Sequence, residues 1–194
     1  METAGKTSSP PLAFETQEQL EAWLQQHHQT HTELWVRMYK KSSGIPSVTW
    51  DDCVVAALTW GWIDGIRKSL DETSFVQRLT PRRSRSSWSQ RNCEIAERLI
   101  AEGRMQPAGL AQVEAARQDG RWEQAYAGPA SMVIPEDFLA ELQKHPAAQQ
   151  AYEQLERSTL FAIYHQLQTA RKPETRQKRM AKWIEQLSQG NKSS

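Results

Sequence analysis

The sequence predicts an α+β fold, with a small antiparallel β-sheet and helices in the first half and an all-helical second half. Three observations carry this. Glu33 to Lys40 alternates with a period of two, setting Leu34, Val36 and Met38 against Trp35, Arg37 and Tyr39, the pattern of a half-buried strand. Two further strand-like runs, Trp62 to Lys68 and Ser74 to Thr80, flank a polar turn at 69–73. From Pro107 onward apolar residues recur at helical spacing, punctuated by proline and glycine.

The elements follow in order. Residues 1–11 carry Ser, Thr and Pro without an apolar run and read as a disordered, frayed tail. Thr16-Gln17-Glu18-Gln19 is a capping box, opening a helix with Leu20, Trp23 and Leu24 as its stripe and His27 and His28 at its end. Ser43-Gly44-Ile45-Pro46 is a turn. Thr49 with Asp52 caps a helix whose Cys53 to Leu58 run is apolar nearly all round and therefore buried. Gly61 stops that helix. Pro81 ends the second hairpin strand because it has no N–H to give the ladder. Ser87-Trp88-Ser89-Gln90 reads as another capping box, opening a helix with Ile95, Ala96, Leu99 and Ile100 inward and Gly103 as its C-cap. Further helices are expected at Pro107 to Gln118, Pro135 to Lys144, Pro146 to Arg157, Ser158 to Ala170 and Pro173 to Ser188. The weakly periodic Gly120 to Ser131 divides the chain into an α+β core at 12–119, a linker at 120–131 and a helical region at 132–190.

Composition sets the class. With 194 residues, 38% hydrophobic and 24% charged, the chain is long enough for one domain, or for a small domain with a helical appendage, and too apolar for global disorder. No apolar run reaches the roughly 20 residues of a membrane span. The start lacks the apolar core of a secretion signal, so a cytoplasmic setting is expected. Cys53 and Cys93 show no metal-type spacing and sit in apolar helical patterns, as buried free thiols do. The net charge is +1, but Arg67 to Arg91 holds seven basic residues against Asp71 and Glu72. That net of +5 leaves −4 for the rest. Arg171 to Lys182 holds six basic residues against Glu174. Such asymmetry points to an anionic ligand or surface.

Four groups of residues are candidates. In Thr80 to Ser87, Arg82, Arg83 and Arg85 are expected to converge near the backbone N–H groups of the helix that Ser87 and Trp88 open, where a phosphate or carboxylate would bind. A solvated basic loop, or arginines clamping acidic residues of the later helices, is the alternative. In Trp60 to Asp64, Asp64 is a candidate general acid/base with Arg78 or Arg82 as substrate anchors, and Trp62 and Arg67 are candidate ligand-binding residues beside it. Equally, Asp64 is an ion-pair partner of Arg67 or Arg78 and the tryptophans are core. Trp35, Arg37 and Tyr39 share a sheet face with some of Arg67, Val76, Arg78 and Thr80, a combination that stacks single-stranded nucleic acid unless helices cover it. Lys172 to Lys182 is the basic half of an amphipathic helix, for anionic lipid or RNA or simply solvated. His27, His28 and His31 lack a nearby carboxylate or cysteine to complete a ligand set, so neither metal nor cofactor is expected.

Several motifs are more specific together than singly: Trp60-Gly61-Trp62-Ile63-Asp64-Gly65, Gln77-Arg78-Leu79-Thr80-Pro81-Arg82-Arg83, Trp88-Ser89, Ala101-Glu102-Gly103-Arg104-Met105 and Ala170-Arg171-Lys172-Pro173-Glu174-Thr175-Arg176. This series resembles the bacterial YdeI/OmpD-associated family, also labelled bacteriocin-protection proteins, over about Leu34 to Leu187. The resemblance implies an association with tolerance of antimicrobial peptides and with envelope stress, and carries no settled biochemical activity. Some members are described as periplasmic, whereas the absence of a secretion signal favours the cytoplasm here. The leading expectation is therefore a stress-associated protein that holds an anionic ligand through the arginine loop. The alternatives are a small cofactor-independent enzyme built on Asp64 and nucleic-acid binding through the aromatic and basic sheet face.

Overall fold

A computed structural model describes residues 10–190. The frayed tail expected at 1–11 lies outside these residues except for Pro10 and Pro11, which are exposed. The chain divides into two units, one of residues up to 86 with 92–119, the other of 87–91 with 120 onward.

The first unit is built on a four-stranded sheet: β1 (Leu12–Ala13), β2 (Leu34–Tyr39), β3 (Trp62–Ser69) and β4 (Ser74–Pro81), in the order β1-β2-β4-β3. The β2–β4 and β3–β4 pairs are antiparallel, as expected. The β1–β2 pair is parallel, Leu12 beside Val36 and Ala13 beside Arg37, so the sheet is mixed rather than purely antiparallel. Two residues carry no alternation, so sequence pattern gives β1 no signal. Helices α1 (Gln17–His27) and α2 (Trp50–Thr59) cover one face. There Leu34, Val36, Met38 and Leu79 meet Leu20, Leu24, Cys53, Ala56 and Ala57. Trp62 completes this core at 1% exposure, and its indole N–H donates to the His28 carbonyl at 3.2 Å.

The Thr49 cap forms in full, whereas only half of the Thr16 capping box forms, since Gln19 Oε1 accepts from the Glu15 N–H at 2.9 Å and not from that of Thr16. The Gln19 N–H donates to Thr16 Oγ1 at 3.4 Å, and in α2 the reciprocal pair is complete: Asp52 N–H to Thr49 Oγ1 at 3.2 Å and Thr49 N–H to Asp52 Oδ2 at 2.7 Å. Gly61 then reverses the chain with φ of +74°, and α4 (Pro107–Gln118) crosses α2. A Cβ on Gly109 would lie 2.5 Å from the carbonyl oxygens of Leu58 and Thr59, and one on Gly61 would lie 2.6 Å from that of Ala108. The crossing therefore depends on two missing side chains.

In the β3–β4 hairpin, Asp64 pairs with Leu79 and Arg67 with Gln77, so Gly65 and Ile66 together oppose Arg78. This β-bulge inverts the alternation beyond it, placing Lys68 rather than Arg67 on the side of Val76. The turn is closed by Asp71, whose Oδ1 accepts from Ser74 Oγ (2.8 Å), the Thr73 N–H (2.9 Å) and Thr73 Oγ1 (3.0 Å). Those hydrogen bonds, the one from Ser74 foremost, and the Arg37 charge hold the carboxyl down at about 2. Helix α3 (Gln90–Ala101) starts two residues later than a cap at Ser87 requires.

The second unit comprises α5 (Glu136–Leu142), α6 (Pro146–Tyr152), α7 (Arg157–Gln168) and α8 (Pro173–Ser188) around Phe138, Leu142, Ala148, Ile163, Leu167, Trp183, Ile184 and Leu187. Helix α6 ends five residues before the expected Arg157, because Leu155 turns into this core and Glu156 takes an extended conformation ahead of α7. The second half is not helical throughout. Ser89 and Tyr126 form a parallel bridge, with Tyr126 N–H donating to the Trp88 carbonyl (3.0 Å) and Gln90 N–H to the Tyr126 carbonyl (2.9 Å). Among the described residues, no helix is long and apolar enough to cross a membrane.

Two outcomes test this account. Gly109→Ala should lower stability by about 1–3 kcal/mol, read as a drop in Tm, because the new methyl overpacks the crossing. Gly128→Ala, where nothing lies within 4 Å of an added Cβ, should change Tm little. For the hairpin, a depressed folded-state pKa means that the Asp71 contribution is complete above the ordinary carboxylate range and lost as pH falls through about 2. An NMR titration of the Asp71 carboxyl carbon should show its midpoint near 2, and a midpoint near 4 would contradict the turn geometry.

Candidate functional site

The face of the first unit's sheet opposite α1 and α2 gathers several chemistry-bearing side chains. Because Leu34, Val36 and Met38 turn inward, Trp35, Arg37 and Tyr39 turn to the other face, beside Arg78 and the buried Val76 and Ser74 on β4. The bulge brings Lys68 onto the same side. Lys68 Nζ lies 5.2 Å and Arg78 Cζ 6.0 Å from the Trp35 ring centroid, and Arg37 Cζ lies 4.7 Å from that of Tyr39. Trp35 and Tyr39 are half-buried and Lys68 is exposed, while the Arg37 and Arg78 side chains keep 33% and 35% of their surface open.

Two carboxylates fix the guanidinium groups. Glu33 Oε2 accepts from Arg78 Nε at 2.9 Å and lies 2.8 Å from its Nη2, while Asp71 Oδ2 accepts from Arg37 Nη2 at 2.6 Å. Among the described residues Lys68 makes no ion pair, so its charge is available to a ligand. At the β1 side, Trp23, His27 and His31 of α1 and its following turn join Leu12, Glu33 and Trp35 in lining a small cavity of about 210 Å³.

The other sequence candidates separate. Asp64 is half-exposed and accepts from the Trp50 indole N–H at 3.0 Å. Neither Arg67 nor Arg78 is its partner: Arg78 stands on the opposite sheet face with Glu33, and Arg67 lies over the Phe75 ring with its Cζ at 3.6 Å. The acid/base arrangement therefore loses the Arg78 anchor. Trp62 belongs to the core.

The three arginines of the loop differ in exposure. Arg82 is buried at 6% exposure, and Arg83 and Arg85 are exposed on a turn closed by Ser86 N–H to the Arg83 carbonyl and Arg83 N–H to Ser86 Oγ. Ser87 and Trp88 belong to the second unit, where Trp88 is buried with its ring 4.9 Å from that of Trp122. Since α3 begins at Gln90 and the Gln90 N–H is spent on Tyr126, the anion-holding helix start expected at Ser87 is not formed there.

Two arginines of the basic cluster at 171–182 are committed to structure. Arg176 Nη1 and Arg179 Nη1 donate to the Leu167 and Gln166 carbonyls at 2.7 and 2.6 Å, capping the C-terminal end of α7. Arg176 also holds Asp137 through two hydrogen bonds, which lower that carboxyl below the usual range. Both cysteines are free and buried, and burial pushes the Cys53 thiol up to about 12 and the Cys93 thiol up to about 11. Among the described residues, no three His, Cys, Asp or Glu side chains are grouped to hold a metal ion.

Lys68 and Glu33 are the site residues that sequence reasoning did not single out. Gly65 was the available signal for the first, since a glycine inside a strand pattern marks a bulge, and a bulge moves the next cation to the other face.

Comparison with known proteins bears on both units. Residues 12–112 match the family described as Domain of unknown function (DUF8412), and residues 131–190 match the family described as Bacteriocin-protection, YdeI or OmpD-Associated. The second match confirms the resemblance over 131–190, while the Trp60–Gly65 and Gln77–Arg83 motifs fall within the first. Searches of curated proteins and of solved structures returned no match. The chain thus belongs to the family of the DUF8412 domain, matched over 12–112, and its residues 131–190 are similar to the bacteriocin-protection, YdeI or OmpD-associated family.

Proposed function

We propose that the protein is a binding module that holds single-stranded nucleic acid, or another polyanion bearing flat rings, on the first-unit sheet face opposite α1 and α2. The observation that carries this reading is Trp35 with Lys68 and Arg78 at its ring on a half-exposed face. An aromatic ring supplies a stacking platform for any base, and neighbouring cations take the phosphates. Tyr39 with Arg37 offers the same pair of groups four residues along β2. Strand rise sets that interval at about 13 Å, a span of two to three nucleotides. The exposed Arg83 and Arg85, just beyond β4, add positive charge for the backbone.

The anionic-ligand expectation thus moves from the arginine loop to the sheet, because Arg82 is buried while its neighbours point to solvent. The cellular setting we propose is the one named in the family description matched by residues 131–190, protection against bacteriocins, with the first unit as the ligand-holding part.

Fluorescence anisotropy with labelled single strands of about 12 nucleotides tests this reading. Wild type should bind with an affinity that falls steeply between about 50 and 200 mM salt. Trp35→Ala should weaken binding about tenfold or more, and Lys68→Ala should reduce the salt slope by nearly one phosphate contact. No binding at the lowest salt, or full affinity in Trp35→Ala, would overturn the proposal.

A further inference from the structure

Resting on that reading, we infer that the cavity beside Trp35 is a base-selective pocket, and that it receives one terminal guanine of the bound strand. The pocket lies between α1 with its following turn and the start of β2, and shares Trp35 and Glu33 with the open face. A strand stacked on Trp35 therefore has this cavity next to it.

Its size and lining suit one ring system. The volume is about 210 Å³, below the range of pockets that bury a drug-sized ligand. Its walls are ring faces and edges: Trp23 lies 4.6 Å from the His27 ring and 5.0 Å from that of His31, and the two histidines lie 4.7 Å apart. Trp35, Leu12, Leu34 and Pro10 add to the walls. Such surfaces favour a flat guest over a bulky one. A cation is the less favoured guest, because Lys68 and Arg78 already place positive charge at Trp35.

Glu33 supplies the selectivity. Both hydrogen-bonding nitrogens of Arg78 engage its Oε2, at 2.9 and 2.8 Å, which leaves Oε1 to accept from a ligand. An ionised carboxylate only accepts. Of the four bases, guanine alone presents two adjacent N–H donors, N1–H and the N2 amino group, on its pairing edge. Adenine and cytosine each set an acceptor beside their amino group, and uracil or thymine sets carbonyl oxygens on both sides of its single N–H. Arg78 in turn fixes the orientation of the carboxylate, so Glu33 reads the base while its other oxygen holds the phosphate-binding cation in place.

The test uses the full chain and labelled oligothymidylates of about 12 nucleotides that end in guanine, adenine, cytosine or thymine. Wild type should prefer the guanine-ended strand by about tenfold over the thymine-ended one. In Glu33→Gln the amide can turn its NH2 into the pocket, and the ratio between these two strands should fall to about one, whatever the absolute affinities. Thermal unfolding of the variant checks that it folds. Binding without base preference in wild type, or a guanine preference that survives Glu33→Gln, would overturn the pocket and leave the sheet-face reading standing. No binding of any strand would overturn both.

Discussion

One helical layer serves one face of the first-unit sheet, and the rest of the candidate site follows from that asymmetry. The period of two in β2 gives Leu34, Val36 and Met38 to α1 and α2, so Trp35, Arg37 and Tyr39 have to stand on the other side. Each buried aliphatic side chain contributes about 1.5–3 kcal/mol, so slipping β2 by one residue would expose three of them at once. The hydrophobic core thereby fixes which residues are presented to a ligand.

Polar contacts then convert a face into a site. The pairs Arg37–Asp71 and Arg78–Glu33 are half-exposed, and ion pairs of that kind contribute only about 0–1 kcal/mol to folding. Their value is geometric. They hold two flexible side chains beside aromatic rings, which lowers the entropy lost when an anion docks. The bulge at Gly65 and Ile66 adds the third cation by turning Lys68 toward Trp35. In the second unit Arg176 and Arg179 take the opposite course and are consumed in capping α7.

Much of this was legible in the sequence. The β2 alternation, the Thr49–Asp52 capping box and the 62–81 hairpin all stand where pattern and local chemistry place them. What escaped depends on information outside a local window. The parallel strand β1 is too short to alternate, and the Gly109 contact with α2 arises only when two helices cross. The arginine loop shows a related limit: closeness in sequence does not give side chains one environment, and Arg82 is buried while Arg83 and Arg85 are exposed. A cap at Ser87 also looked complete in sequence, yet the residues from Trp88 to Gln90 pair with Tyr126 instead.

The central claim is that ligand sits on the Trp35 face and not on the arginine loop. The most direct measurement is NMR mapping of the full chain during titration with an unlabelled single-stranded oligonucleotide, following tryptophan indole and arginine side-chain N–H signals with the backbone amides. The largest shifts should fall at the Trp35 indole, the Arg37 and Arg78 Nε–H groups and the amides of β2 and β4. Shifts confined to 82–89, with the Trp35 indole unmoved, would contradict the claim.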